Sequence, residues 1–247
     1  MAVEYQMEAI LLAVRDWSAA DRVVTLFSRE YGIVVAMAYD ARKPKSKLGG
    51  CLQPFIKLNM LMTSGKGMDV VKQCEVNTSF REIREDLTRL AYANFIAELT
   101  TGLWPERQSE AAAYDMLSAI FHLLAVRNPR IAALAGAWQL MALAGFQPEY
   151  RECTQCGRAL VLPASFTYNA GGATCSQCSS PDSIPFTQED KEFLDKLLSL
   201  NLNAPGSFVI TSRILVNAEK ILYGFVRHQL ERPLKSLEFI KQISLLD

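Results

Sequence analysis

Cys153, Cys156, Cys175 and Cys178 form two Cys-x-x-Cys pairs separated by the eighteen residues Gly157 to Thr174. Zinc sites built from two such pairs place them about fifteen to twenty residues apart, so the spacing predicts one four-cysteine zinc site. A two-residue gap lets both thiolates of a pair face one ion while the backbone amides behind them offset the charge. Gly157 permits a tight reversal after Cys156. The second knuckle has Ser179 at the matching place and must turn without glycine. Four thiolates fill a tetrahedral shell and leave no position for an activated water, so the expectation is a single structural Zn²⁺ and no metal catalysis. Iron would accept the same ligand set, and a redox dithiol would need only one pair.

A second concentration of chemistry lies in Arg42-Lys43-Pro44-Lys45-Ser46-Lys47, four cations within six residues. The formal net charge of the chain is zero, yet between Ala41 and Met68 all six charged residues are basic, Lys57 and Lys66 included. Such density repels itself unless an anion is near, which suggests phosphate binding; a solvated loop is the plainer alternative. Arg15, Arg22, Arg29, Lys57 and Lys72 would widen the patch if they share a face, against the acidic Asp16, Asp21 and Glu30. Trp17, Phe27, Tyr31, Tyr39 and Phe55 are candidates to stack on bases, although most strand aromatics are core.

Elsewhere the residues point away from catalysis. The sequence has no Walker A run, no Gly-x-Gly-x-x-Gly opening a helix, no Gly-x-Ser-x-Gly and no His-Glu-x-x-His, so no enzyme is expected. His122 and His228 are the only histidines and lie in helix-like segments. Cys51 and Cys74 fall in strand-like segments and read as half-buried filler. No stretch reaches a membrane-spanning length, the nearest being residues 131–146, which read as a buried helix. The first dozen residues carry Glu4 and Glu8 where a secretory leader would be basic, so a cytoplasmic protein is expected.

The elements that would position these groups change along the chain. Residues 6–15, 22–28, 33–39, 52–62 and 68–76 are strand-length apolar runs separated by turn residues. Five short strands without helical crossovers predict a small antiparallel barrel over residues 1–79, an OB-fold first and an SH3-like barrel second. Near Ser79 the apolar period lengthens to that of a helix, with Ser79 and Glu82 in a capping-box pattern. Further helices are predicted over residues 109–126, from Asn128-Pro129 to near Gly145, from Thr187, and over residues 212–230. Residues 151–185 carry few large apolar side chains and need a staple. The predicted fold class is α+β: the barrel, an α-helical domain over 80–150 and 186–247, and a zinc-finger insertion over 151–185.

In succession these features resemble the RecO family of bacterial recombination mediators. The resemblance rests on Glu8-Ala9-Ile10 through Arg15-Asp16, Val24-Thr25-Leu26-Phe27, the basic loop and Leu52-Gln53-Pro54-Phe55. It continues through Leu143-Ala144-Gly145-Phe146-Gln147-Pro148 before the cysteines and ends at Arg232-Pro233-Leu234-Lys235-Ser236. It implies DNA repair and homologous recombination in the RecF pathway, at the nucleoid. The implied activities are binding of single- and double-stranded DNA, annealing of complementary strands and, with RecR, loading of RecA onto DNA coated by single-stranded DNA-binding protein. It further implies DNA contact by Arg42, Lys43, Lys45 and Lys47, with Arg15 and Arg22 beside them, and docking of the binding protein's acidic, hydrophobic tail on the helices. The rival readings are a zinc-containing adaptor that binds only proteins and a zinc-dependent hydrolase or nuclease.

Overall fold

In the computed structural model, which describes residues 3–206 and 209–243, the first five strands close into a barrel. β1 (Glu4–Asp16) is long enough to pair twice. Its residues 9–16 lie antiparallel to β2 (Arg22–Ser28), and residues 4–10 antiparallel to β4 (Ile56–Thr63). A register shift between Leu11 and Ala13 bends the strand between its two partners. β3 (Gly32–Ala38) pairs with β2 and, in parallel, with the start of β5 (Asp69–Ser79). The resulting order, β1-β2-β3-β5-β4, is the Greek-key closure of an OB-fold and sets the SH3-like alternative aside.

β2, β3 and the middle of β1 do not alternate cleanly because both of their faces are covered, whereas β4 alternates. Leu11, Val24, Leu26, Val34, Leu58 and Met60 fill the barrel interior, while Ile10, Leu12, Phe27 and Ile33 belong to the core shared with the helices. The expectation that residues 52–55 open the fourth strand fails: they form a turn that buries only its two ends, Leu52 and Phe55. Leu52 is buried, and Phe55 takes a positive φ of 61° with its N–H donating to Leu11 O (2.7 Å). Burial supplied an apolar run there without a ladder.

Seven helices follow among the described residues. The expected capping box at Ser79 does not form. Ser79 ends β5 and its hydroxyl accepts from Arg84 (2.7 Å), so α1 (Arg81–Glu85) begins without a side-chain cap. Asp86 interrupts the run in extended conformation and accepts from Arg89 N–H (2.8 Å), starting α2 (Leu87–Leu103) as a separate helix. α3 (Ala111–Val126) and α4 (Pro129–Leu143) meet closely at Gly136, where a Cβ would sit 2.8 Å from the Ile120 side chain. Asn128 caps α4, and Thr187 with Asp190 forms the capping box of α5 (Gln188–Ser199). α6 (Ser212–Leu230) leads to α7 (Lys235–Ile243), a helix the sequence pattern does not announce. Its cap comes from far away: the Glu98 carboxylate on α2 accepts from the Lys235 and Ser236 N–H groups and the Ser236 hydroxyl.

Between α4 and α5 a small sheet, β7-β6-β8, carries the cysteine pairs: β6 (Ala164–Thr167), β7 (Gly172–Thr174) and β8 (Ile184–Phe186). Its apolar side chains enter the helical core. Phe166 lies 6.0 Å from Phe225 of α6 between ring centroids and 5.9 Å from Phe186. The Tyr168 ring rests on α6 so closely that a Cβ at Gly224 would lie 2.0 Å from it.

One polar cluster ties the barrel to the helices. The Asp69 carboxylate, 4% exposed, accepts from the Tyr5 hydroxyl and the Arg107 guanidinium, and Arg107 N–H donates to Ile33 O (3.0 Å). Burial alone would raise the Asp69 pKa, but these donors hold it below the ordinary carboxylate value. A depressed pKa contributes stability that is present above the unfolded value of about 4 and is lost as pH falls through the folded one. Asp69→Asn should therefore destabilise the protein by about 2–3 kcal/mol, less than a fully buried pair because Arg107 is partly exposed. Thermal unfolding at neutral pH checks this: the midpoint falls by roughly 5–10 °C, and the difference from wild type narrows in acid.

Candidate metal centre and nucleic-acid interface

The two cysteine knuckles are built by backbone turns and brought together by the small sheet. Cys153 N–H donates to Arg158 O (2.8 Å) and Gly157 N–H to Cys153 O (2.8 Å), with Gly157 at a φ of 70°. The second turn closes by Cys178 N–H to Cys175 O (2.9 Å). Thr154 N–H donates to Ala173 O (3.1 Å) and couples the knuckles. The four Sγ atoms lie within 4.8 Å of one another, near the edge of about 3.8 Å that zinc–sulfur bonds of about 2.3 Å impose on a tetrahedron. This cluster can hold one metal ion, and its all-thiolate donor set suits zinc.

The surroundings favour thiolate at Cys153 and Cys156. Cys175 N–H points at Cys153 Sγ (3.3 Å), the main reason the Cys153 pKa falls to about 6. Arg158 Nε donates to Cys156 Sγ (3.3 Å) and lowers that thiol as well. Its Nη2 lies 3.9 Å from Cys175 Sγ and donates to Gln177 Oε1 (2.7 Å). In metal-free form the hydrogen bond with Cys175 pushes the Cys178 thiol up to about 12. Arg158 places a cation beside a site whose four thiolates exceed the charge of a divalent ion. Sequence reasoning passed over it; its position two residues beyond Cys156 was the available signal.

Cys51 and Cys74 lie apart from this cluster. Cys51 occupies a turn and not a strand, with its Sγ 3.6 Å from Cys74 O. Burial and the neighbouring Cys51 push the Cys74 thiol up to about 12, which suits an inert packing residue.

The basic residues gather at the barrel end formed by the β1–β2 turn and the segment after β3. Arg42 N–H donates to Ala20 O (2.9 Å), Arg42 Nη1 to Ser18 O (2.6 Å), and Asp40 N–H to Asp21 Oδ1 (2.9 Å). Arg22 pairs with Asp16 (3.1 Å), Arg42 reaches the same carboxylate (3.5 Å), and Lys43 pairs with Asp40 (2.7 Å), which raises its pKa. Lys45 and Lys47 have no acidic partner among the described residues. Arg15 lies over the Trp17 ring, 5.5 Å from its centroid. Lys57 and Arg29 belong elsewhere: they pair with Glu8 (3.0 Å) and Asp115 (2.6 Å) where the barrel meets α3. Of the aromatic candidates, Phe27 and Phe55 are fully buried and cannot meet a base, and Tyr31 packs on Tyr5. Trp17 and Tyr39 are each 56% exposed.

Residues 1–80 match the family model described as recombination protein O N terminal, and residues 84–238 the one described as recombination protein O C terminal. The chain belongs to the RecO family. The DNA repair protein RecO of Pelotomaculum thermopropionicum is 34% identical to it over 96% of this chain and 93% of its own length. The RecO proteins of Desulforudis audaxviator and Symbiobacterium thermophilum are 32% and 31% identical, over 98% and 96% of this chain and of their own lengths. The first RecO model covers the barrel with its basic end, and the second covers the helices and all four cluster cysteines. No described helix is long and apolar enough to cross a membrane.

Proposed function

We propose that this RecO-family protein binds single- and double-stranded DNA through the basic end of its barrel and anneals complementary strands. With RecR, it then helps load RecA onto DNA coated by single-stranded DNA-binding protein. The observation that carries the reading is the gathering of Arg15, Arg22, Arg42 and Lys43 with the exposed rings of Trp17 and Tyr39 at one end of an OB-fold, followed in the chain by Lys45 and Lys47, which have no acidic partner among the described residues. Loops at a barrel end are where OB-folds hold nucleic acid. Annealing requires no covalent step. Neutralising phosphates on two strands lowers their mutual repulsion, after which base pairing supplies the driving force.

On this reading the protein is not an enzyme and works in the cytoplasm at the nucleoid. Its four cysteines hold one structural Zn²⁺ that braces the small sheet against α6. A titration with fluorescent single- and double-stranded oligonucleotides tests the proposal. Binding that weakens with salt supports it; absence of binding favours an adaptor that meets only proteins. Incubation of the same DNA with Mg²⁺ or Zn²⁺ should leave it uncut, and strand cleavage would favour the nuclease reading.

A further inference from the structure

Trp104 and Trp138 are buried at 8% and 1% exposure, whereas Trp17 stands 56% exposed at the basic barrel end, as does Tyr39. Their placement follows from the strand register. Arg15, Val23 and Met37 lie in one row across β1, β2 and β3. Trp17 and Tyr39 each follow the members of that row on β1 and β3 by two residues, just past the ends of these strands, so both stand exposed at the same end of the barrel. The contact of Arg15 with the Trp17 ring agrees with this. Trp17 N–H donates to Asp21 O (3.0 Å) and Asp40 N–H to Asp21 Oδ1 (2.9 Å), which ties the two turns together. The strand ends they follow, on β1 and β3, are two strand spacings apart, about 10 Å.

Arg15 lies over the Trp17 ring, Arg42 donates to Ser18 O next to it and Lys43 pairs with Asp40 next to Tyr39, while Asp16, Asp21 and Asp40 offset part of this charge. Exposed rings at this spacing, set among cations, match a strand whose phosphates are neutralised while its bases turn inward. A duplex keeps its base faces covered by stacking and cannot offer them to a side chain. We propose that Trp17 and Tyr39 form a stacking platform for unpaired bases and make this barrel end prefer single strands to duplex. The inference rests on the DNA-binding reading above and adds the discrimination that the cations alone do not supply.

Trp17 provides its own reporter, because the other two tryptophans are enclosed. A thymidine oligonucleotide of about 16 nucleotides, the upper range of one OB-fold site, should quench the emission of the full-length protein and shield it from acrylamide. Trp17→Ala and Tyr39→Ala should each lower single-strand affinity by about tenfold, the scale of one base–aromatic stack. They should change duplex affinity much less, and Trp17→Phe should retain most of the binding. Thermal melts of the variants guard against a folding defect, which these surface positions should not produce. Unchanged emission at saturating oligonucleotide overturns the platform, as does an unchanged single-strand preference in the alanine variants. In either case, a loss of affinity in Lys45→Glu with Lys47→Glu leaves the basic-loop reading standing. If no oligonucleotide binds wild type, both fall.

Discussion

Lys45→Glu combined with Lys47→Glu should weaken binding to a single-stranded oligonucleotide by about tenfold or more while leaving the fold intact. These two lysines are chosen over their neighbours on structural grounds. Arg22, Arg42 and Lys43 already spend part of their charge on Asp16 and Asp40, and Lys57 is engaged with Glu8 against α3. Lys45 and Lys47 are exposed in the connection between β3 and β4, outside the strand ladders, so reversing them changes the surface potential and little else. Each lysine that neutralises a phosphate contributes about 0.7 to the slope of log affinity against log salt for a single strand. The double variant should therefore show a shallower slope as well as weaker binding. Wild-type affinity in the variant at low salt would place the phosphate contacts elsewhere on the molecule.

Loss of the metal should act on a different part of the protein. Structural zinc in small modules contributes about 10–16 kcal/mol of apparent binding free energy, which is also folding free energy for the segment that holds it. Cys153→Ser, or prolonged exposure to a strong chelator, should remove one equivalent of zinc and loosen the turns around Cys153 and Cys175. The disturbance should spread to α6, because Phe166 and Tyr168 pack on Phe225 and Gly224 there, and stop before the barrel. Protons compete with the ion for the thiolates, so metal retention should fall as pH is lowered. Hydrogen exchange with and without metal checks both the effect and its limits. Protection lost over residues 151–186 and reduced in α6, with β1–β5 unchanged, is the expected pattern, whereas purified protein that never contains zinc would contradict it.

How legible these features were in the sequence depended on the distance over which each is determined. The cysteine spacing and the helix starts at Asn128-Pro129 and Thr187 are local, and the structure realises each. α7 was hidden because its cap is Glu98, more than a hundred residues away. Its own apolar positions, Leu237, Ile240 and Ile243, make up only a short stripe. Ser79 and Glu82 had the right types for a cap, but the strand pairing that extends β5 to Ser79 claimed the backbone first. Residues 52–55 read as strand because Leu52 and Phe55 continue the apolar run of β4, yet an apolar side chain buried from a turn and one buried from a ladder leave the same composition. The basic loop was visible as a charge cluster. Which cations are already paired, and which aromatic rings are exposed, depends on neighbours joined only by the barrel register.

The most direct test of the central claim is the annealing of complementary oligonucleotides coated by single-stranded DNA-binding protein. Wild-type protein should accelerate annealing, with the acceleration declining as salt rises and largely lost in the Lys45→Glu, Lys47→Glu variant. Equal acceleration by the two proteins across the salt series would contradict the assignment of strand pairing to this end of the barrel.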